Sequence, residues 1–490
     1  MILALVVLVP VLGAASAALV KTSALRRAAL ILAAAVHAVL TGRMWFVRPE
    51  PIFHGWLGLD DLGLLFLSVT SGLFLCAAVY AVGYLGRESA ATHSDFEENI
   101  FFANAPEAVF IGGLLMFLAT MSLVTISQNL GILWVAVEAT TLASAPLIYF
   151  HRHHRSLEAT WKYLLICSVG IALALLGNFF LVAAASNGHS ESTSLVLSDL
   201  IRQGSKMNMP WLKAAFLFFL VGYGTKMGLA PLHTWLPDAH SESPSVVSAL
   251  LSGALLNCAF LAILRAQQIC NAAGLGSFGR DLLVLFGLLS IGWAGIFILQ
   301  QLDYKRLLAY SSVEHMGILA LGVGLGGAGA FGSMLHAVNH SLTKGLLFLV
   351  AGNILAAYQT KEVTNVRGVL RVLPISGVLW IAGFLAITAM PPFGTFLSEL
   401  TIVKAMLDQG RFVVAVLFLA LLSLIFIGMS RTVLAMAQGR PADKLTPVTE
   451  TWSAVATPIL LAVAVLALGV YLPEGLTTVL RDAARELGGQ

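Results

Sequence analysis

Residues 224–244 read Gly224-Thr225-Lys226-Met227-Gly228-Leu229-Ala230-Pro231-Leu232-His233-Thr234-Trp235-Leu236-Pro237-Asp238-Ala239-His240-Ser241-Glu242-Ser243-Pro244. Apolar runs at 214–222 and 246–264 flank this stretch, so its lysine, its histidines and its two interior prolines lie at or near membrane depth. A lysine at the centre of a bilayer costs about 2.5–3.5 kcal/mol, and ionisable groups kept there face a bundle interior or a watered pathway. Pro231 has no N–H to donate and its ring clashes with the preceding turn, so the helix carrying Lys226 is expected to break about one turn later. A break of that kind frees backbone carbonyls inside the protein, which suits an ion path.

Composition sets the class. Hydrophobic residues make up 58% of the 490 and charged residues 11%, against about 25% charged in soluble domains. The chain is therefore expected to be an all-α polytopic membrane protein. The net charge of +3 is too small and dispersed for nucleic-acid binding. Cys76, Cys167, Cys258 and Cys270 form no C-x-x-C pair, so neither an iron–sulfur cluster nor a disulfide framework is indicated. No cofactor is expected in this chain, and any redox chemistry is assigned to another. The apolar run at 1–20 lacks a basic leader and reads as a retained helix.

At about 20 residues per span, hydropathy gives about fourteen helices, two of them broken. The division expected is a three-helix segment at 1–106, five-helix sets at 107–265 and 282–436, and a last helix with a short amphipathic tail at 437–490. Alternating the loops puts more lysine and arginine on the side bearing Arg87, Arg152, Arg155, Lys305 and Lys361 than on the side bearing Arg48, Arg202, Arg265 and Arg280. That bias favours termini on the non-cytoplasmic side of a prokaryotic inner membrane. The run His151-Arg152-His153-His154-Arg155 reads as a headgroup-level basic loop.

The two five-helix sets match in their polar positions. Glu138 lies in the second helix of the first set and His315 in the second helix of the next; Lys226 and Glu399 lie in the two broken fourth helices, each pair about 175 residues apart. Because five is odd, the second set enters the membrane in the opposite sense, giving inverted repeats. Met390-Pro391-Pro392-Phe393-Gly394 is expected to break the second set as Pro231 breaks the first.

His336, His340 and Lys344 recur at four-residue intervals and so share a helix face. A metal site, a proton wire and satisfied core histidines all account for such a stripe. Metal ligation lacks a partner cysteine or acidic cluster at ligand spacing along the chain, whereas histidine, with its pKa near 6.5, suits a relay. Glu138 and Lys226 read as a pair that opens and closes, the static ion pair being the alternative. Lys162, at the start of a span, Glu314 and Lys404 are secondary candidates.

The 225–240 motif, with Glu138, the 336–344 stripe and Pro391-Pro392-Phe393-Gly394-Thr395-Phe396-Leu397-Ser398-Glu399, resembles the antiporter-like proton-translocating subunits shared by respiratory complex I, Mrp cation antiporters and group 4 membrane-bound hydrogenases. The surroundings of Asn257 and the Ser241-Glu242-Ser243-Pro244 run look most like the hydrogenase-4 component F branch. The resemblance implies a proton path from Glu138 and Lys226 through His336, His340 and Lys344 to Glu399, without metal or cofactor. It implies partners among the other membrane and hydrophilic subunits of such an assembly, iron–sulfur chains included. Where the family commonly places a lysine in the eighth helix, this chain has Asn257, so His233 or water is expected to bridge Lys226 to His340. His240 is expected to be an entrance or packing group. A sodium/proton antiporter, a bicarbonate-uptake complex or a non-conducting scaffold is the alternative reading.

Overall fold

The computed structural model describes residues 1–88, 93–94, 101–186, 193–441 and 447–488. The first crossings are α1 (Ile2–Leu19), α2 (Ser23–Met44), α3 (Asp61–Arg87), α4 (Glu107–Ile126), α5 (Leu130–Ile148) and α6 (His154–Ser186). A short α7 (Leu197–Gln203) leads to the broken crossing α8 (Met209–Met227) and α9 (Trp235–Glu242). The next crossing runs from α10 (Ser245–Leu250) through a π-turn (Leu251–Leu255) into α11 (Leu256–Ala272). Then come α12 (Gly276–Ile298), α13 (Tyr304–Leu325), α14 (Gly327–Tyr358), a short α15 (Val369–Val372) and the second broken crossing, α16 (Pro374–Ile387) and α17 (Gly394–Asp408). The chain closes with α18 (Phe412–Ala437), α19 (Trp452–Val470) and an amphipathic α20 (Glu474–Glu486). Among the described residues, the extended structure is one short pairing, His93–Ser94 with Phe101–Phe102, and a few isolated bridges between loops.

Twelve helices among the described residues are long and apolar enough to cross a membrane. The two broken crossings complete the set expected from hydropathy. Helix α6 starts ahead of its apolar run, at His154, and so takes in the polar end of the basic loop.

Both breaks fall where proline predicts. Helix α8 stops at Met227, and Gly228, at φ 86°, turns the chain while its N–H bonds the carbonyls of Gly224 and Thr225. A Cβ there would sit 2.6 Å from Leu236 Cδ1, so both space and backbone angle call for glycine. The freed groups are satisfied from neighbouring helices, as membrane depth demands: Trp235 Nε1 donates to the Thr225 carbonyl at 2.8 Å, and Ala230 N–H donates to Ser290 Oγ at 2.9 Å. In the second half, Thr395 Oγ1 donates to the Ala386 carbonyl across the break.

The repeat is less symmetric than the sequence spacing implies. Lys226 stands on the half-helix before its break, whereas Glu399 stands on the half-helix after its own. The two are therefore not equivalent positions, because sequence offset fixes neither the phase of a helix nor the side of its break.

Small residues set the closest helix approaches, as is usual where lipid supplies no hydrophobic drive between helices. A Cβ on Gly222 of α8 would lie 2.6 Å from both Ala174 N and Gly170 O of α6. In the other half, a Cβ on Gly317 of α13 would lie 2.7 Å from Gly287 O of α12. These contacts fix the height of Lys226 against α6, and of Glu314 and His315 in α13.

On the face bearing the N-terminal ends of α3 and α14, α20 packs against both helices. Arg265 Nη2 donates to Asp60 Oδ1 at 2.7 Å, and Gln268 Nε2 donates to Glu486 Oε2 at 3.0 Å. Burial, with the Asp60 carboxylate beside it, pushes Glu486 up to about 8 against the pull of Arg265.

Two outcomes are expected. Gly222→Val should lower the thermal midpoint in detergent, the overpacking costing about 1–3 kcal/mol; an unchanged midpoint would show that α6 and α8 can separate freely. The docked Glu486 keeps its proton up to about pH 8, while in the released tail it loses the proton near 4.5. Docking of 474–486 should therefore weaken as pH rises through that window and be weakest above it. Hydrogen exchange of the segment at pH 6 and pH 9, corrected for intrinsic rates, checks this, and Glu486→Gln should remove the difference.

Candidate functional site

The first cluster forms where α5, α6 and α8 meet. Lys226, at 0% exposure, donates from Nζ to Thr141 Oγ1 at 2.8 Å and to Tyr163 OH at 2.5 Å. Its ammonium also lies 4.4 Å from the Tyr163 ring centroid. Half-buried Glu138 accepts from Ser168 Oγ at 2.9 Å and from Thr141 Oγ1 at 3.3 Å. Glu138 and Lys226 thus meet through the Thr141 hydroxyl and make no ion pair of their own within 4.0 Å among the described residues. Thr141 lies one turn beyond Glu138 and so was open to sequence reasoning. Tyr163, Ser144, which bonds the tyrosine at 2.6 Å, and Ser168 sit on or against a separate helix and gave no signal.

The second cluster forms between α13, α14 and α17. His315 Nδ1 lies 2.8 Å from His336 Nε2, and His336 Nδ1 lies 2.9 Å from Ser398 Oγ. The His315 and His340 rings are 5.1 Å apart, and all three histidines show 0% exposure. Lys344 Nζ donates to the Leu308 carbonyl at 2.7 Å. Glu314 Oε2 approaches His315 Nε2 to 4.0 Å. Glu399 brings a carboxylate oxygen within 4.8 Å of ligand atoms of both His315 and His336. Gly394 packs so tightly on Asn339 that a Cβ would lie 2.3 Å from its Oδ1, which locks the start of α17, and with it Ser398 and Glu399, onto α14.

Asn257 stands between the clusters. Its Nδ2 donates to Ser341 Oγ at 2.8 Å and to the Gly253 carbonyl at 3.1 Å, and Ser341 follows His340 in the chain. The α10–α11 crossing packs on α8 through α11 and on α14 through α10 and the π-turn, and Ser252 and Ser312 bond across the α13 contact at 2.8 Å. Asn257 therefore links the two halves by hydrogen bonding.

Asn257 Oδ1, Glu314 Oε2, His315 Nε2, Asn339 Oδ1 and both ring nitrogens of His340 have no hydrogen-bond partner among the described residues. At membrane depth an unpaired polar group costs several kcal/mol. Apart from Asn257 they belong to α13 and α14, around the second cluster.

Other candidates lie away from the two clusters, and among them His233 Nδ1 and both ring nitrogens of His240 also lack a hydrogen-bond partner among the described residues. Lys162 is exposed and pairs with Glu158 at 2.7 Å and Asp238 at 3.0 Å, so it is a surface group, not a bundle-facing one. Lys404 is also exposed and pairs with Asp408 on its own helix. His233 packs edge-on against Trp293 and Tyr310, and neither Lys226 nor His340 is among its ring contacts. His240 stacks on Phe348 at 4.9 Å. Just beyond it, a cavity of about 360 Å³ opens between Arg87, Arg155, Glu242, Lys305 and Lys361. Glu242 pairs there with Lys361 at 2.8 Å, and buried Lys305 donates to the carbonyls of Ser241 and Ser243 at 3.0 and 2.6 Å. The sequence assigned Lys305 to a loop; it lies in the first turn of α13, which packs on α9 and so buries it.

The family model for "NADH:quinone oxidoreductase/Mrp antiporter, TM" matches residues 127–425, which hold both clusters. A hydrogenase-4 component F homolog of Methylacidiphilum infernorum is 34% identical over 419 residues, covering 84% of this chain and 85% of its own length. NADH-quinone oxidoreductase subunit N of Desulforudis audaxviator is 31% identical over 433 residues, covering 84% of this chain and 82% of its own. Among solved structures, a chain of the archaeal membrane-bound sulfane sulfur reductase superposes with a TM-score of 0.87 over 99% of this chain at 20% identity, which speaks for the fold. On the match over 127–425 and these two relatives, the chain belongs to the NADH:quinone oxidoreductase/Mrp antiporter transmembrane family.

Proposed function

We propose that this chain carries protons across a prokaryotic inner membrane as the non-redox subunit of a multi-subunit redox complex of the group 4 hydrogenase or complex I type. One observation carries the reading. Two clusters of ionisable groups lie inside the bundle, Glu138–Thr141–Lys226 and His340–His315–His336 with Glu399, and Asn257 of the first half hydrogen-bonds Ser341 beside the second. Imidazoles with unpartnered nitrogens pass protons through water, and a lysine held by hydroxyls rather than by a carboxylate is free to hand its proton on. Asn257 orients water between the clusters without carrying charge. The cavity beside Glu242 and His240 serves as the entrance from one face. Electron transfer belongs to iron–sulfur partner chains, and this chain carries no redox cofactor. The family's link to Mrp antiporters supports sodium/proton exchange as a second reading.

The test uses sealed vesicles carrying the native complex. Lys226→Ala and Glu399→Gln should each lower redox-driven proton uptake at least tenfold while electron transfer by the partner chains is retained in part. Unaltered coupling in Lys226→Ala would overturn the proposal. Transport that requires sodium and survives a protonophore would put the antiporter reading in its place.

A further inference from the structure

His315, His336 and Glu399 each offer one ligand atom, and those atoms lie within 4.8 Å of one another. They come from α13, α14 and α17, so chain spacing hides the grouping. We infer that this buried cluster is a binding site for a divalent first-row transition cation such as Zn²⁺, distinct from its place in the proton row.

The tautomers follow from the hydrogen bonds. Ser398 Oγ donates to the Thr395 carbonyl at 2.8 Å, so toward His336 Nδ1, at 2.9 Å, it accepts. His336 therefore carries its proton on Nδ1, and its Nε2 turns a lone pair toward His315 Nδ1 at 2.8 Å. A hydroxyl that holds the far nitrogen of an imidazole is the outer support typical of metal-ligating histidine. His315 has the matching device: its Nε2 lies 4.0 Å from Glu314 Oε2, and both atoms lack a hydrogen-bond partner among the described residues. When a cation takes Nδ1, the proton of His315 moves to Nε2 and turns to Glu314. The ring stays neutral, and any proton on Glu399 leaves to solvent as its carboxylate takes the cation.

Geometry and charge agree. Zinc sits about 2.0–2.2 Å from nitrogen and carboxylate oxygen, which places tetrahedral ligands roughly 3.4 Å apart. The two histidines need to open by roughly 0.6 Å, and the widest pair needs to close by about 1.4 Å, within reach of side-chain rotation. Glu399 and Glu314 together offset the double charge that membrane depth would otherwise penalise. Two imidazoles and one carboxylate suit zinc, iron or nickel, whereas sodium and magnesium prefer all-oxygen shells.

The test is titration of the purified full-length chain with Co²⁺ or Zn²⁺ alone, read by the visible absorption of Co²⁺ and by retained metal after desalting. Neither readout depends on transport, so failure here is distinguishable from failure of the proton reading. The wild type should retain one cation per chain that His315→Gln and Glu399→Gln each lose, while His54→Gln, on an exposed residue, keeps it. Ser398→Ala leaves all three ligands in place and should weaken binding about 10–100-fold, which guards against a ligand variant that fails to fold. No retained cation in the wild type, or equal retention in the His315→Gln and Glu399→Gln variants, overturns the inference.

Discussion

Keeping charge in a bilayer is the constraint on which the rest of this structure depends. Lys226, Lys344, Glu314 and Glu399 are all buried in the bundle, where an isolated charge would cost several kcal/mol. The fold meets that cost with hydroxyls, a phenol and a backbone carbonyl in place of tight ion pairs. Lys226 rests on Thr141 and Tyr163, and Lys344 on the carbonyl of Leu308. A charge held by neutral dipoles stays exchangeable, whereas a desolvated ion pair locks both partners.

The broken helices serve the same end. Where α8 stops at Met227 and α17 begins at Gly394, backbone groups that a continuous helix would consume become available at depth. Each break is also sutured. Trp235, Ser290 and Thr395 take up the loose donors and acceptors, and Gly228 and Gly394 permit the chain to pass where any side chain would collide. The breaks are thus rigid, and the polar side chains beside them are held at defined heights rather than left to swing.

Two halves that look alike in sequence have diverged in chemistry. The first half centres on one lysine among hydroxyls; the second gathers three imidazoles, two carboxylates and a lysine. Asn257 joins them by hydrogen bonding to Ser341 at a place where the family resemblance implies a lysine. The second cluster consequently combines the orphaned nitrogens that suit proton transfer with a ligand geometry that suits a cation, since both uses draw on imidazole lone pairs in a water-poor interior.

Hydropathy alone placed the crossings, because about 20 apolar residues have no other stable home than a membrane-spanning helix. Pro231 and the Pro391–Pro392 pair located both breaks from local sterics, and the four-residue stripe of His336, His340 and Lys344 disclosed a polar helix face, since helix period is a one-dimensional property. What lay beyond reach was anything that depends on how helices meet. Thr141 between Glu138 and Lys226, Tyr163 under the ammonium, Glu399 beside His315, and the outward turn of Lys162 and Lys404 all follow from helix rotation and height. Those are set by contacts such as Gly222 on Gly170 and Gly394 on Asn339, between residues far apart in the chain. Sequence names the charged residues; packing decides which of them share a site.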